Sequence, residues 1–350
     1  MWNQDCEGLA SWKRNSDLAL KDVPFFRPSI GEEEIAEVVD TLRSGWLTTG
    51  PKTQAFEANF SAFIGGDVHA VAVNSATAGL HLALEAAGIG QGDEVICPTL
   101  TFTATAEVIR YLGAVPKFVD IEEATLNVSC DLIEAAIGPK TKAVMPVHFA
   151  GLPVDMPGVQ ALADKHGLKV IDDAAHALPT RCQGQLIGNT GADATVFSFY
   201  ASKTMTTGEG GMLVTGDRKL AARARQMRLH GIDSDVFKRF TDTRASWQYD
   251  VIAPGFKYNM TDLAASLGLC QLRRVEEFRH IRQRLASRYT DDLAGLPLTL
   301  PPCPCEGDTH SWHLYVVRLT NDAPCNRDHL IYEMKKRGVR TSVHYRPLHK

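Results

Sequence analysis

The run Ala194-Thr195-Val196-Phe197-Ser198-Phe199-Tyr200-Ala201-Ser202-Lys203-Thr204-Met205-Thr206-Thr207-Gly208-Glu209-Gly210-Gly211-Met212-Leu213-Val214 places a polar turn between two short apolar segments. Thr195, Val196, Phe197 and Phe199 are β-branched or aromatic and predict a strand. Met212, Leu213 and Val214 predict a second one. The turn between them offers hydroxyls, glycines and a single lysine. Hydroxyl groups and bare backbone suit a phosphate. An amine hemmed in by apolar strands sheds its proton more easily and becomes a nucleophile toward a carbonyl. Pyridoxal phosphate (PLP) carries both a carbonyl and a phosphate. A lysine in a Gly/Thr-rich turn also reads as a solvated loop charge, and this run alone leaves both readings open.

Upstream, the pattern repeats strand, small-residue turn and helix. Ala70 to Val73 reads as a buried strand, Asn74-Ser75-Ala76-Thr77-Ala78-Gly79 as a turn, and Leu80 to Ala86 as a helix. Such a turn exposes unpaired backbone N–H groups at the helix start, which suits phosphate; a plain capped turn is the alternative. Further strands are predicted at 94–97, 115–119, 143–147 and 168–171, with helices between them. Asp172-Asp173-Ala174-Ala175-His176 follows the last of these strands directly. Carboxylates there sit where open α/β sheets bind ligands, and one could pair with a protonated pyridine nitrogen. They could equally be helix-capping acids. The alternation over residues 66–215 predicts a mainly parallel sheet with helices on both faces.

Composition narrows the function classes. The chain has 350 residues, 44% hydrophobic and 22% charged, with a net charge of −4. That balance implies no basic face, so nucleic acid is not an expected partner. Of eight cysteines only Cys303 and Cys305 are close, and no second pair or histidine cluster gives metal-ligand spacing. Reduced thiols, no signal-like N-terminus and no membrane-length apolar run give a cytoplasmic protein as the expectation. Ser29 with Glu32 and Glu33 predicts a helix start, Phe56, Phe60 and Phe63 a second helix, and Leu263 to Leu293 a long helix. His313–Leu319 and Val339–Tyr345 read as strands, and 231–254 as a long excursion.

Together these motifs resemble the DegT family of sugar aminotransferases over roughly residues 24–350. The likeness is carried by 45–51 (Gly-Trp-Leu-Thr-Thr-Gly-Pro), 74–81, 98–102, 172–176, 197–203, 207–211, 255–262 and His344-Tyr345. It implies an aspartate-aminotransferase type of fold: a large PLP-binding α/β domain with a seven-stranded-type sheet, and a smaller α+β C-terminal domain. The expected division is a lead-in over 1–24, the large domain over 25–255, and the long helix and small domain over 256–350. Relatives usually continue beyond a His-Tyr-x-Pro-Leu-His segment, so the expectation is either a fragment or a small domain without its last strand and helix.

The resemblance also implies roles. Lys203 binds the cofactor covalently, Asp173 pairs with its pyridine nitrogen, His176 lies near its phenolic oxygen, and Phe102 stacks on its ring. Ala76, Thr77 and Ser198 hold the phosphate with a residue of the partner subunit, for which Asn259 is favoured and Lys257 kept. Thr48, Thr49, His344 and Tyr345 are candidates for sugar contacts. The implied reaction moves an amino group from an amino acid, expected to be L-glutamate, to the C3 or C4 keto group of a nucleotide-linked sugar. The setting is polysaccharide or antigen biosynthesis, and the enzyme a homodimer with shared sites. The alternatives are a PLP-dependent sugar dehydratase, a non-catalytic PLP-binding regulator, or an α/β binding module. The lysine argues against the first, because the dehydratase variant carries histidine there.

Overall fold

Period-two alternation sorts β1 (His69–Val73) into two layers: Ala70 and Ala72 join one core, Val71 and Val73 the other. The computed structural model describes residues 22–233 and 249–350. β1 is the edge of a seven-stranded sheet that also contains β2 (Glu94–Pro98), β3 (Val115–Val119), β4 (Thr141–Val144), β5 (Lys169–Asp173), β8 (Ala194–Ser198) and β9 (Gly211–Thr215). The order is β1-β9-β8-β5-β4-β2-β3. β2, β3, β4, β5 and β8 run parallel, while β9 is antiparallel to both its neighbours. The parallel strands end on one edge, where Asp173 and Ser198 are the last residues of β5 and β8. Two short pairs, β6 (Arg181–Cys182) with β7 (Gln185–Leu186) and β10 (Leu298–Thr299) with β11 (Arg318–Leu319), stand apart from the sheet.

Helices cover both faces. α3 (Ala76–Ala86), α4 (Thr103–Tyr111) and α7 (Arg218–Met227) lie on the side of Val71, with Leu80, Leu82 and Leu84 fully buried. On the other side Phe56 and Phe60 of α2 (Pro51–Ile64) pack against Phe197 and Phe199 with ring centroids 5.3–5.7 Å apart. α5 (Cys130–Ala136) and α6 (Met156–His166) complete that layer. Full burial of one such side chain stabilises the fold by about 1.5–3 kcal/mol. α8 (Asp262–Leu293) is 32 residues long and crosses α2 closely at Gly268, where a Cβ would meet the Phe56 ring at 2.6 Å. Among the described residues no helix is long and apolar enough to cross a membrane.

The start of α8 also holds the start of α2. The buried Asp262 carboxylate accepts the N–H groups of Gly50 (2.8 Å), Lys52 (3.0 Å) and Thr53 (3.0 Å), and the Thr53 hydroxyl (2.7 Å). These are the orphan donors of a helix first turn, where the peptide dipoles also favour an anion. Asp262→Ala leaves them unpaired in a buried place. It is expected to cost about 3 kcal/mol or more. Urea unfolding checks this; a midpoint within error of the parent would contradict it.

Three expectations are corrected. The first described helix, α1, runs Glu32–Ser44 and begins after Gly31, not at Ser29, because Glu34 folds back to accept the Gly31 N–H at 2.8 Å. Ser29 instead gives its carbonyl to Gln271 of α8. Of His313–Leu319 only Arg318–Leu319 is strand, since 310–314 is tied to Ala150 and Gly151 and has no strand beside it. Val339–Tyr345 is not a strand either: only Val339 pairs, with Val23. That pairing fixes residues 22–24 of the lead-in, and α9 (Arg327–Lys336) precedes it. The rest of the lead-in, and the middle of the 231–254 excursion, lie outside the described residues.

Candidate active site

Lys203 follows β8 in a turn, its backbone N–H bonded to the Tyr200 carbonyl. Burial lowers its amine pKa from 10.5 to about 8, and the Asp173 carboxylate only partly restores it. An amine with that pKa is about one-tenth unprotonated at pH 7, against well under one-thousandth for an ordinary lysine.

Asp173 ends β5. Its Oδ2 accepts the Thr105 hydroxyl at 2.8 Å and its Oδ1 the Ala175 N–H at 3.1 Å. Thr105 is itself bonded to Thr101 at 2.7 Å, one turn earlier. Burial raises the Asp173 pKa, while these two donors and Lys203 pull it down. Burial thus opposes both charges, and each is the other's compensation. A cation brought against Asp173 would therefore be held firmly. Asp172, next along the strand, points to the opposite face. There its Oδ1 lies 2.7 Å from His148 Nε2, both side chains fully buried. His148 Nδ1 accepts the Val154 N–H at 2.9 Å, which leaves the ring proton on Nε2, toward the carboxylate.

His176 is held on both nitrogens. Nδ1 accepts the Ala150 N–H at 3.2 Å, so the neutral ring carries its proton on Nε2, 3.0 Å from the Tyr345 hydroxyl. Tyr345 lies near Phe102, with ring centroids 5.7 Å apart, and His344 contacts Tyr345 at 4.7 Å. Phe102, 56% exposed, offers a ring face to anything entering from solvent. The charge of Lys203 reaches His176, His313 and His344, so all three stand around it.

A phosphate-sized cradle lies beside this group. Ser75 caps α3 by accepting the Ala78 N–H at 3.1 Å, which leaves the Ala76 and Thr77 N–H groups pointing out of the first turn. Ser198 faces Gly211 across β8 and β9. A Cβ on Gly211 would stand 2.7 Å from Ala76 N and 2.8 Å from the Ser75 carbonyl, so only glycine lets β9 pass this close.

The remaining candidates form a second group. Asn259 Nδ2 donates to Thr49 Oγ1 at 2.7 Å, and its Oδ1 accepts Lys257 Nζ at 2.6 Å. Tyr258 and Lys257 bind Asn74, next to the cradle, through their carbonyls. Thr48 contributes a carbonyl to the Asp262 N–H. Within one chain no bond joins Thr48, Thr49, Lys257 or Asn259 to Lys203 among the described residues. Of the four, Asn259 lines a cleft of about 530 Å³ together with Val38, Leu42, Asn74, Glu209 and Leu267, and Lys203 does not line it.

Several groups around Lys203 were not read from the sequence. Thr105 had one signal, a second threonine four residues earlier, just before α4. Ala150 acts through its backbone, which no side chain announces. His313 sat in a stretch read as strand. Among the described residues there is no cluster of histidine, cysteine and acidic side chains able to hold a metal ion.

The buried histidines make stability depend on pH. Burial lowers His310 to about 3, and lowers His176 and His313 well below 6.5. A histidine depressed in the folded state binds fewer protons there than in the unfolded chain. Its contribution is complete above the unfolded value of about 6.5 and is lost as pH falls below it, at up to about 1.4 kcal/mol per unit for each ring. The raised Asp173 acts in the opposite sense, near pH 4 and above. The urea midpoint is therefore expected to drop steeply between about pH 6 and 5. A flat profile there would contradict the burial of these rings.

The sequence profile described as the DegT/DnrJ/EryC1/StrS aminotransferase family matches residues 28–350. SpsC of Bacillus subtilis strain 168, a spore coat polysaccharide biosynthesis protein, is 48% identical over 339 residues, covering 96% of this chain and 85% of SpsC. Among solved structures, Spr1654 of Streptococcus pneumoniae, assigned as a sugar aminotransferase, superposes in its PMP-form with a TM-score of 0.87 at 38% identity, covering 93% of this chain and 86% of that one. Its PLP-form gives 0.86 at 37% with the same coverage. PseC of Helicobacter pylori, an aminotransferase of pseudoaminic acid biosynthesis, gives 0.85 at 29%, covering 94% and 86%.

Proposed function

The chain belongs to the DegT/DnrJ/EryC1/StrS aminotransferase family and is a PLP-dependent sugar aminotransferase, and from that premise we propose that it moves the amino group of L-glutamate to the C3 or C4 keto group of a nucleotide-linked deoxy sugar. The observation that carries the reading is the placing of Lys203, in the turn after β8, with the buried Asp173 at the end of β5 and the open N–H groups at the start of α3.

The residues present fit the cofactor. Lys203 supplies the amine, Asp173 an anion for the pyridinium nitrogen, Phe102 a face for the ring, and Ala76, Thr77 and Ser198 donors for the phosphate. Bound there, PLP supplies an aldehyde that captures amines and a ring that accepts the electron pair released at the reacting carbon. Lys203 Nζ, freed when the amino donor arrives, takes the proton from the donor's α-carbon and later delivers one to the sugar carbon that receives the amine. Asp173, fixed by Thr105 and Ala175, keeps negative charge where a protonated pyridine nitrogen needs it. His176 presents its Nε2–H toward Tyr345 and the cofactor's phenolic side. His344 and Tyr345 line the sugar side of the same opening.

We place Thr48, Thr49, Lys257 and Asn259 at a subunit boundary, where Asn259 or Lys257 reaches the partner's phosphate. The support is that no hydrogen bond ties them to Lys203 within one chain among the described residues, and that Asn259 lines an open cleft. This reading makes the enzyme a homodimer. It keeps 25–255 as the cofactor domain, 256–350 as the smaller unit, and the cytoplasm, where activated sugars are made, as the site of action. The relatives in spore coat polysaccharide and pseudoaminic acid biosynthesis support a sugar as the amino acceptor. A panel of nucleotide keto sugars incubated with glutamate, read by product mass, tests substrate and donor. No aminated product from any member would refute the proposal.

A pH profile gives a further check. Only the unprotonated Lys203 attacks an aldehyde, so PLP uptake by cofactor-free protein is expected to rise about tenfold per unit below pH 8 and to level off above it. A rise continuing to pH 10 would show an ordinary lysine.

A further inference from the structure

We propose that His313 is a positioning residue of this site: its ring, packed on His176, fixes the direction in which the His176–Tyr345 pair presents its hydrogen bonds to cofactor and sugar. The inference rests on the functional reading above.

Five hydrogen bonds bring residues 310–314 into the site. Ser311 N–H donates to the Gly151 carbonyl (3.2 Å), Ser311 Oγ to the His176 carbonyl (2.6 Å), and Leu314 N–H to the Ala150 carbonyl (3.2 Å). Arg282 reaches from α8 to the carbonyls of Trp312 and His313 at 3.1 and 3.3 Å. The chain takes a left-handed turn at Trp312, φ 51°, a costly conformation for a bulky residue. Trp312 is anchored by its Nε1–H to Gln283 (2.8 Å) and by stacking on His310 at 4.0 Å. Strain held by this many anchors is kept for what it delivers, and what it delivers is His313.

The His313 ring lies 4.5 Å from that of His176, centroid to centroid. His176 is thus hydrogen-bonded at its edge by Ala150, and the His313 imidazole meets it at a tilt of 45°. With its Nδ1 accepting from Ala150, it donates through Nε2 to the Tyr345 oxygen, and the phenolic proton of Tyr345 is free for the site. His313 is 7% exposed, and its Nδ1 has no hydrogen-bond partner among the described residues. A phenyl or aliphatic side chain would fill the space without that cost. The imidazole there is therefore not explained by packing alone. The groups facing it are His176, Lys203, Arg282 and His344, all cationic or able to become so, and with burial they hold it neutral.

The test titrates the visible absorbance of the full-length, PLP-loaded protein against pH in the parent, His313→Phe, His313→Asn, His176→Phe and the double variant His313→Phe/His176→Phe. His313→Phe is expected to move the spectral midpoint by about one unit and to lower kcat/KM about tenfold, with His313→Asn recovering most of both. In the His176→Phe background the same change should add no further shift, because the effect passes through His176. An unmoved midpoint in both His313 variants, or an equal shift with and without His176, would overturn the proposal. If His313→Phe does not fold, His313→Leu replaces it, and an unmoved midpoint there overturns the proposal. A parent that takes up no PLP would instead refute the functional reading.

Discussion

Lys203→Ala protein is expected to lose the visible absorbance of covalently held PLP and to turn over sugar and amino donor at less than about one ten-thousandth of the parent rate. The magnitude follows from two roles falling on one nitrogen. Lys203 Nζ anchors the cofactor, and it carries the proton between carbon atoms in each half of the reaction. Removing it removes both, and among the described residues no other lysine acts on Asp173. The fold should survive, because the side chain makes no hydrogen bond on which an element depends among the described residues. Far-UV circular dichroism and the urea midpoint should therefore match the parent within about 1 kcal/mol. Retained turnover above one-hundredth would move the chemistry elsewhere.

Asp173→Asn is expected to be the second largest loss, about 10³-fold in kcat, with PLP still bound through Lys203 and the phosphate cradle. The amide nearly matches the carboxylate in shape; its oxygen can accept the Ala175 N–H while its NH2 donates to the Thr105 hydroxyl oxygen, so packing is little disturbed. What it loses is the negative charge. Without that charge the pyridine nitrogen has no reason to hold a proton, and the ring accepts electrons poorly. The Lys203 amine also loses the one neighbour that raises its pKa, so its value should fall further below 8. Single-turnover absorbance with glutamate checks the first effect, and PLP uptake against pH checks the second. A variant with parent-like kcat would contradict the role of Asp173.

Much of the fold was legible because it is written at short range. Val71 and Val73 against Ala70 and Ala72 give the strand period, and the strand-turn-helix rhythm gives parallel order. Lys203, Asp173 and the Ser75–Thr77 turn stood out because each follows a strand directly, where open sheets place their ligands. What escaped depends on contacts between distant segments. Asp262 joins two helices 209 residues apart in sequence, and nothing in either helix shows the other. His313 lay in an alternating run that reads as strand; Arg282, Gln283, Ala150 and Gly151 bend it instead, and none is its neighbour in sequence. Val339–Tyr345 had the right residues for a strand but no partner edge beyond Val23.

The most direct measurement of the central claim is borohydride reduction of the PLP-loaded protein, followed by protease digestion and peptide mass mapping. The account predicts one modified peptide, with the pyridoxyl group on Lys203. A modification on another lysine, or none in protein that has bound PLP, would contradict it.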